Sequence, residues 1–210
     1  FTTKQLFALL LPLGLEQLLT IAIGMADTIM VSSYSESAVS AVSSVDLISY
    51  LFITLFSAFS TGGAVIVSQY IGRRDIKNAS IAAKNLTAIT VLISIAMTII
   101  MLIAKDLIIG LVLGDIESSV IKDANLYYIP IALSYPFLAL FDSTTAISRS
   151  EAKTKRIFLS SLLMNIINIS GNYILIHLFS LGALGAGISS LISRIIGALL
   201  MLLLMLKLYY

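Results

Sequence analysis

The chain has 210 residues, of which 59% are hydrophobic and 11% charged, with a net charge of +2 and a mean hydropathy of +1.04. This composition excludes a water-soluble domain and is typical of an integral membrane protein. The small net charge argues against nucleic acid as a partner. The absence of cysteine excludes disulfides and thiolate metal sites, and the single histidine excludes a site built from several imidazoles.

Apolar stretches long enough to cross a bilayer follow one another along the whole chain. We predict six spans, in order 5–32, 39–70, 80–104, 121–148, 157–178 and 184–207. All six are predicted to be helices, because backbone polar groups must be satisfied within each segment and no barrel-type alternation occurs. No Pro-, Gly- or Ser-rich linker divides them, so we expect a single membrane-embedded unit over residues 1–210.

The basic residues indicate the orientation of these spans, since Lys and Arg in short loops prefer the cytoplasmic side. They concentrate at one end of the predicted helices, at Lys4, Arg73, Arg74, Lys77, Lys84, Arg149, Lys153, Lys155, Arg156 and Lys207. At the opposite end, two loops carry no base and the third balances two lysines with four acids. We therefore predict a multi-pass protein of the plasma (inner) membrane with both termini cytoplasmic.

The first span contains polar residues that share one face. Glu16 and Asp27 are eleven positions apart, so the rotation of 100° per residue brings them to nearly the same side of the helix. A carboxylate inside a bilayer is costly and usually marks a functional position, which favours Asp27. Glu16 and Gln17 lie nearer the cytoplasmic end and are candidates for a relay or cavity mouth. Pro12 lacks an amide donor and is a candidate hinge.

The later spans repeat this arrangement. The fifth span carries Asn168 and Asn172 one turn apart, and the sixth carries Ser190 and Arg194 at the same spacing. The second span has a weaker stripe that includes Asp46 and Tyr50, the latter a possible cavity residue. Such small polar residues also hydrogen-bond between packed membrane helices with no further role, and Arg194 can serve to neutralise a buried acid.

Five segments, in this order, carry a family resemblance. They are PLGLEQLLTIAIGMADTIMVS, STGGAVIVSQYIGRRD, SRSEAKTKRIF, NIINISGNYILI and GALGAGISSLISRIIGALLML. Together they resemble the multidrug and toxic compound extrusion (MATE) transporters over nearly the whole chain. The resemblance implies an all-α bundle of six transmembrane helices that forms the N-terminal lobe of a two-lobed transporter. The second lobe is absent from this chain, which is either a fragment of a twelve-helix transporter or a half that works with a second lobe or a homodimer partner.

The resemblance also implies a cation site. The family's first-helix acid falls on Asp27, its fifth-helix pair on Asn168 and Asn172, and its sixth-helix hydroxyl on Ser190. Some branches have an aspartate and a threonine at the last two positions, so the site in this chain is less acidic. The implied coupling ion is H⁺ or Na⁺, the latter bound by these same four residues, and no other cofactor is expected.

The expected function is therefore a cation-coupled antiporter lobe that exports organic cations or other amphipathic drugs. Protonation or cation binding at Asp27 would drive a helix rearrangement. Two alternatives stay open: a lipid-linked oligosaccharide flippase of the same superfamily, which should carry more bases in its spans than Arg194, and a structural subunit that transports nothing. An enzyme is not expected, because the motifs HExxH, GxGD and GxSxG are absent.

Overall fold

The computed structural model describes the backbone of residues 3–114 and 116–209, and the side chains within these ranges other than those of residues 3–9, 12, 13, 16, 17, 20–23 and 207–209. The described residues form seven α-helices and one π-helical segment, with no strand among them. The elements are α1 (Thr3–Ser32), α2 (Glu36–Gly72), α3 (Ile76–Ile103), α4 (Lys105–Leu113), α5 (Ser118–Ser150), α6 (Thr154–Asn172), the π-helix Tyr173–Leu178 and α7 (Gly182–Tyr209).

The predicted all-α membrane bundle is confirmed. Five helices of the described part are long and apolar enough to cross a membrane by length and composition: α2, α3, α5, α6 with the π-helix, and α7. The 30 residues of α1 extend for about 45 Å, which is also sufficient in length.

The structure adds two features to the six predicted helical spans. The predicted third loop contains α4, whose nine residues, about 14 Å long, are too short to cross the bilayer. It ends at Gly114, whose φ of 58° lies in the left-handed region that favours glycine. In addition, the predicted fifth span changes from α to π geometry after Asn172.

Two tight connections at one end of the bundle have the same backbone design. After α2, the Asp75 N–H donates to Tyr70 O at 3.0 Å and the Arg74 N–H to Ile71 O at 2.9 Å. After α5, Lys153 and Ala152 repeat this pattern with the carbonyls of Ser148 and Arg149, both at 2.9 Å. These Schellman motifs satisfy the last carbonyls of each helix and reverse the chain within a few residues.

Helix α5 is the centre of the bundle and packs against α2, α3 and α7, while α1 packs mainly against α6. Its tyrosines Tyr127, Tyr128 and Tyr135 are among the largest fully buried side chains. Tyr135 stacks on Phe52 of α2 with ring centroids 5.3 Å apart. The chain of neighbours α1, α6, α7 and α5 brings polar residues from distant parts of the sequence together.

Candidate cation site

Asp27 joins α1 to α6. Its carboxylate is 7% exposed, and its Oδ1 accepts a hydrogen bond from the Nδ2 of Asn172, a fully buried residue at the end of α6. A carboxylate in this setting is costly unless it is hydrogen-bonded or neutralised. Asn172 supplies one hydrogen-bond donor, but a neutral amide does not neutralise the negative charge of the Asp27 carboxylate.

Asn168, one turn earlier, joins α6 to α7. Its Nδ2 donates to Ser190 Oγ at 3.1 Å, and its backbone carbonyl accepts from Ser189 Oγ at 2.6 Å. Asn168 and Ser190 are 2% and 5% exposed. The structure therefore brings together the four residues that the resemblance selected, on three helices.

Two amide oxygens in this cluster have no partner. Asn168 Oδ1 and Asn172 Oδ1 are buried and accept no hydrogen bond from any described residue. An unsatisfied buried acceptor costs about 1–3 kcal/mol, so an interior with two of them favours a bound cation or proton donor. Oxygen donors of this kind suit a hard cation such as Na⁺. Among the described side chains no group of three His, Cys, Asp or Glu residues converges on a metal site.

Close helix approach near the cluster depends on glycine at two positions. A Cβ on Gly171 of α6 would lie 2.5 Å from Ser189 Oγ. One on Gly187 of α7 would lie 3.2 Å from the Pro130 side chain and from the Tyr127 carbonyl on α5. These positions let α7 lie against both α6 and α5, which places Ser190 beside Asn168.

A second carboxylate belongs to the same polar interior. Asp46 of α2 accepts a 2.9 Å hydrogen bond from the buried Tyr127 hydroxyl and acts electrostatically on Asp27. The sequence places Asp46 only in the weaker polar stripe of the second span. Its position ten residues into α2, about 15 Å from the helix start, was the available signal that it lies deep in the bundle.

Arg194 supplies the positive charge of the cluster. It lies one turn after Ser190 on α7, and its Nη1 donates to Ser134 Oγ of α5 at 2.6 Å. Its charge acts on both Asp27 and Asp46. With both carboxylates ionised, one guanidinium leaves the cluster with a net charge of −1.

Of the remaining predicted site residues, Tyr50 is not part of this cluster. The Tyr50 side chain is 67% exposed and points out of the bundle. The side chains of Pro12, Glu16 and Gln17 lie outside the described residues, although the backbone of α1 is helical through all three positions. The hinge at Pro12 and the relay through Glu16 and Gln17 therefore stay predictions.

Known proteins resemble this chain in both sequence and fold. The MatE family model matches residues 12–174. The chain is 32% identical over 204 residues to "Uncharacterized transporter YisQ" of Bacillus subtilis, covering 95% of this chain and 44% of that protein. It is 26% identical over 202 residues to "Probable multidrug resistance protein NorM" of Thermotoga maritima, covering 93% and 42%.

Solved structures of two conformations match as well. An outward-facing multidrug resistance MATE family transporter of the MOP superfamily superimposes with a TM-score of 0.87 at 22% identity, over 94% of this chain and 44% of that one. An inward-facing conformation gives 0.80 at 23% identity, over 86% and 40%. At these identities the likeness shows the fold alone. The chain thus spans less than half the length of the proteins it matches, and it belongs to the MatE family of membrane transporters.

Proposed function

We propose that this chain forms one lobe of a cation-coupled exporter in which the Asp27 cluster binds a single monovalent cation, H⁺ or Na⁺. The observation that carries the proposal is a buried carboxylate beside two buried amide oxygens that accept no hydrogen bond from the described side chains. A proton would reside on the Asp27 carboxyl group. A sodium ion would be held by Asp27, Asn168, Asn172 and Ser190.

The charge of the cluster supports this stoichiometry. Asp27 and Asp46 contribute two negative charges and Arg194 one positive charge, and all three interact electrostatically. A net charge of −1 in a low-dielectric interior is neutralised by one monovalent cation, whereas a divalent cation would reverse its sign.

The position of Asp27 between α1 and α6 provides a way to couple cation binding to a conformational change. Helix α1 packs mainly against α6, and the Asp27–Asn172 hydrogen bond is a polar tie between them. A cation shifts a conformational equilibrium only by its differential affinity for the two states. We infer that the bound cation stabilises one packing of α1 against α6 and its loss favours another.

Export would require more than this chain. One lobe cannot enclose a cleft, so a second lobe or a second copy would complete the path for organic cations or other amphipathic drugs. We place the assembly in the plasma membrane with both termini cytoplasmic, on the basis of the basic residues at that end. The proposed activity is transport, with no chemical conversion of the substrate.

The cation site can be tested on the purified chain in detergent. Melting temperatures are compared in sodium chloride and in choline chloride at equal ionic strength and pH. We expect sodium or acidification to raise the melting temperature, because a ligand at one hundred times its Kd stabilises by about 2.7 kcal/mol. Asp27→Asn should remove that response. Asp106→Asn, which alters a carboxylate whose side chain is 91% exposed, should keep it. An unchanged response in Asp27→Asn would refute the site.

Transport needs a separate experiment. The chain is reconstituted in vesicles with and without a second lobe, and efflux of ethidium is followed under separate H⁺ and Na⁺ gradients. We expect gradient-driven efflux only when the second lobe or a paired copy is present, and none with Asp27→Asn. Intact cation binding without efflux under any gradient would refute the exporter while leaving the cation site standing.

A further inference from the structure

A groove with a volume of about 350 Å³ lies between α2 and α3 and shares no residue with the cation cluster. Phe59 and Ile89 line one end of it, and Tyr70 and Asn78 the other. Ile66 and Leu86 line its middle. Asn85 and Thr90 add polar side chains further along α3, but the lining is mainly apolar, and Tyr70 and Asn78 make one end polar.

The length of the groove matches one leaflet of a bilayer. Phe59 to Tyr70 on α2 and Asn78 to Ile89 on α3 each correspond to about 16 Å at the helical rise per residue. Half of the hydrocarbon core is about 15 Å thick. With Tyr70 and Asn78 at the membrane surface, Phe59 and Ile89 lie near the bilayer centre.

Basic residues surround the polar end. Arg73 and Arg74 follow α2 directly, and Lys77 lies in the first turn of α3; all three are exposed. The one acid among them, Asp75, accepts hydrogen bonds from the backbone N–H of Asn78 at 3.1 Å and from its Nδ2 at 2.6 Å. Three bases against one acid leave this end of the groove positively charged.

We propose that the groove binds an anionic phospholipid, with an acyl chain between α2 and α3 and the phosphate beside Arg73, Arg74 and Lys77. A flexible hydrocarbon chain suits a narrow groove one leaflet long, and an anionic headgroup complements the bases.

The chain contains no tryptophan, so one introduced tryptophan becomes a specific fluorescent reporter. Phe59→Trp places it in the groove, and Leu92→Trp places it at a 65% exposed position of α3 that does not line the groove. Each variant is reconstituted with brominated phosphatidylglycerol or brominated phosphatidylcholine, which share acyl chains and differ in headgroup charge. If Phe59→Trp does not fold, Ile89→Trp reports from the same end.

We expect the groove tryptophan to be quenched at a mole fraction of phosphatidylglycerol at least about fivefold lower than of phosphatidylcholine, since each base near an anionic surface contributes about that factor. The Leu92→Trp reporter should respond equally to both lipids. Molar salt should reduce the difference. Equal quenching of the groove reporter by the two lipids would refute the proposal, and so would quenching by neither, which indicates a groove covered by protein.

Two pairs of variants test which residues produce the preference for phosphatidylglycerol over phosphatidylcholine. Replacing Arg73, Arg74 and Lys77 with glutamine should abolish it, whereas the same change at Lys155 and Arg156, on the same membrane side at the start of α6, should not. Ala82→Phe fills the groove and should displace the lipid, unlike Ala88→Phe on an exposed face of α3. Retained selectivity after loss of the three bases would overturn the assignment. None of these readouts depends on transport.

Discussion

Tyr127 of α5 donates a 2.9 Å hydrogen bond to Oδ1 of Asp46 on α2, so a second carboxylate is held inside the bundle near Asp27. Tyr127 itself is 2% exposed. Arg194 on α7 acts on both carboxylates. The polar interior is therefore a network that spans α1, α2, α5, α6 and α7.

Removal of the Tyr127 hydroxyl tests its hydrogen bond to Asp46. Tyr127→Phe should lower stability by about 1.5–3 kcal/mol, because a hydrogen bond to a charged group is lost in a buried setting. The measurement is the melting temperature in detergent, with Tyr50→Phe at a 67% exposed position as the control. In combination with Asp46→Ala, which leaves no acceptor for the Tyr127 hydroxyl, the loss should be less than additive, since both changes remove the same bond. Strict additivity would contradict the bond.

Substitutions that remove the charge of Arg194 and the charge of Asp46 should change cation affinity in opposite directions. Arg194→Gln raises the negative charge around Asp27 and should tighten sodium binding, whereas Asp46→Asn lowers it and should weaken binding. Each effect should be on the order of tenfold, the size expected when one unit charge is removed from a buried cluster of interacting charges. Titration of the purified chain with sodium measures the Kd, and Arg194→Lys should leave it near the original value. A shift of the same sign in both variants would exclude charge balance as the cause.

The sequence predicts some of this site for a clear reason. Helical periodicity places Asn168 and Asn172 on one face of α6, and Ser190 and Arg194 on one face of α7. Periodicity does not say which helices are neighbours, and the family resemblance supplied that information. The Tyr127–Asp46 bond escaped notice because its partners are 81 positions apart. In addition, α5 is buried on nearly every side, so its sequence has no separate polar face that would single out Tyr127.

Helix boundaries show a similar limit. Each predicted span begins a few residues inside the observed helix. In α2, α3, α5 and α6 the reason is that hydropathy does not register their polar first turns. Ser35 and Asp75 cap two of these turns by accepting hydrogen bonds from Ala38 N and Asn78 N, both at 3.1 Å. The helix α4 was not predicted because its nine residues, which begin with Lys105 and Asp106, are too few to suggest a span.

A second carboxylate at residue 172 should strengthen cation binding. Asn172→Asp replaces the amide donor to Asp27 with a like charge, and two carboxylates in contact retain a proton or cation between them. We expect a lower Kd for sodium and uptake of about one additional proton near neutral pH, which potentiometric titration of the purified variant would record. Asn165→Asp, one turn before Asn168, is the matched control for sodium affinity, since the Asn165 side chain contacts the Ser161 carbonyl and not Asp27. An unaltered Kd and proton count would show that residue 172 does not share the cation of Asp27.

Gly185 should be intolerant of even one methyl group. A Cβ there would lie 3.1 Å from the backbone carbon of Leu175 and 3.2 Å from its oxygen, and the backbone has little room to move. Gly185→Ala should lower stability by about 1–3 kcal/mol. Gly62→Ala meets no atom within 4 Å and should be neutral or gain up to about 1 kcal/mol from helix propensity. Equal melting temperatures for the two variants would contradict the close packing of α7 on the π-helix.

Asp75 should make stability depend on pH on the acid side. Hydrogen bonds from the Asn78 side chain, and then from its backbone N–H, hold the pKa of Asp75 below the ordinary value of 3.8. A depressed pKa in the folded state means that the contribution is present above about pH 4 and is lost as the pH falls through the folded value. Asp75→Ser keeps a capping oxygen without the charge. The melting temperature of the original chain should therefore exceed that of Asp75→Ser near neutral pH, and the difference should shrink towards about pH 3. If the difference in melting temperature stays constant across this pH range, the ionised carboxylate of Asp75 does not stabilise the start of α3.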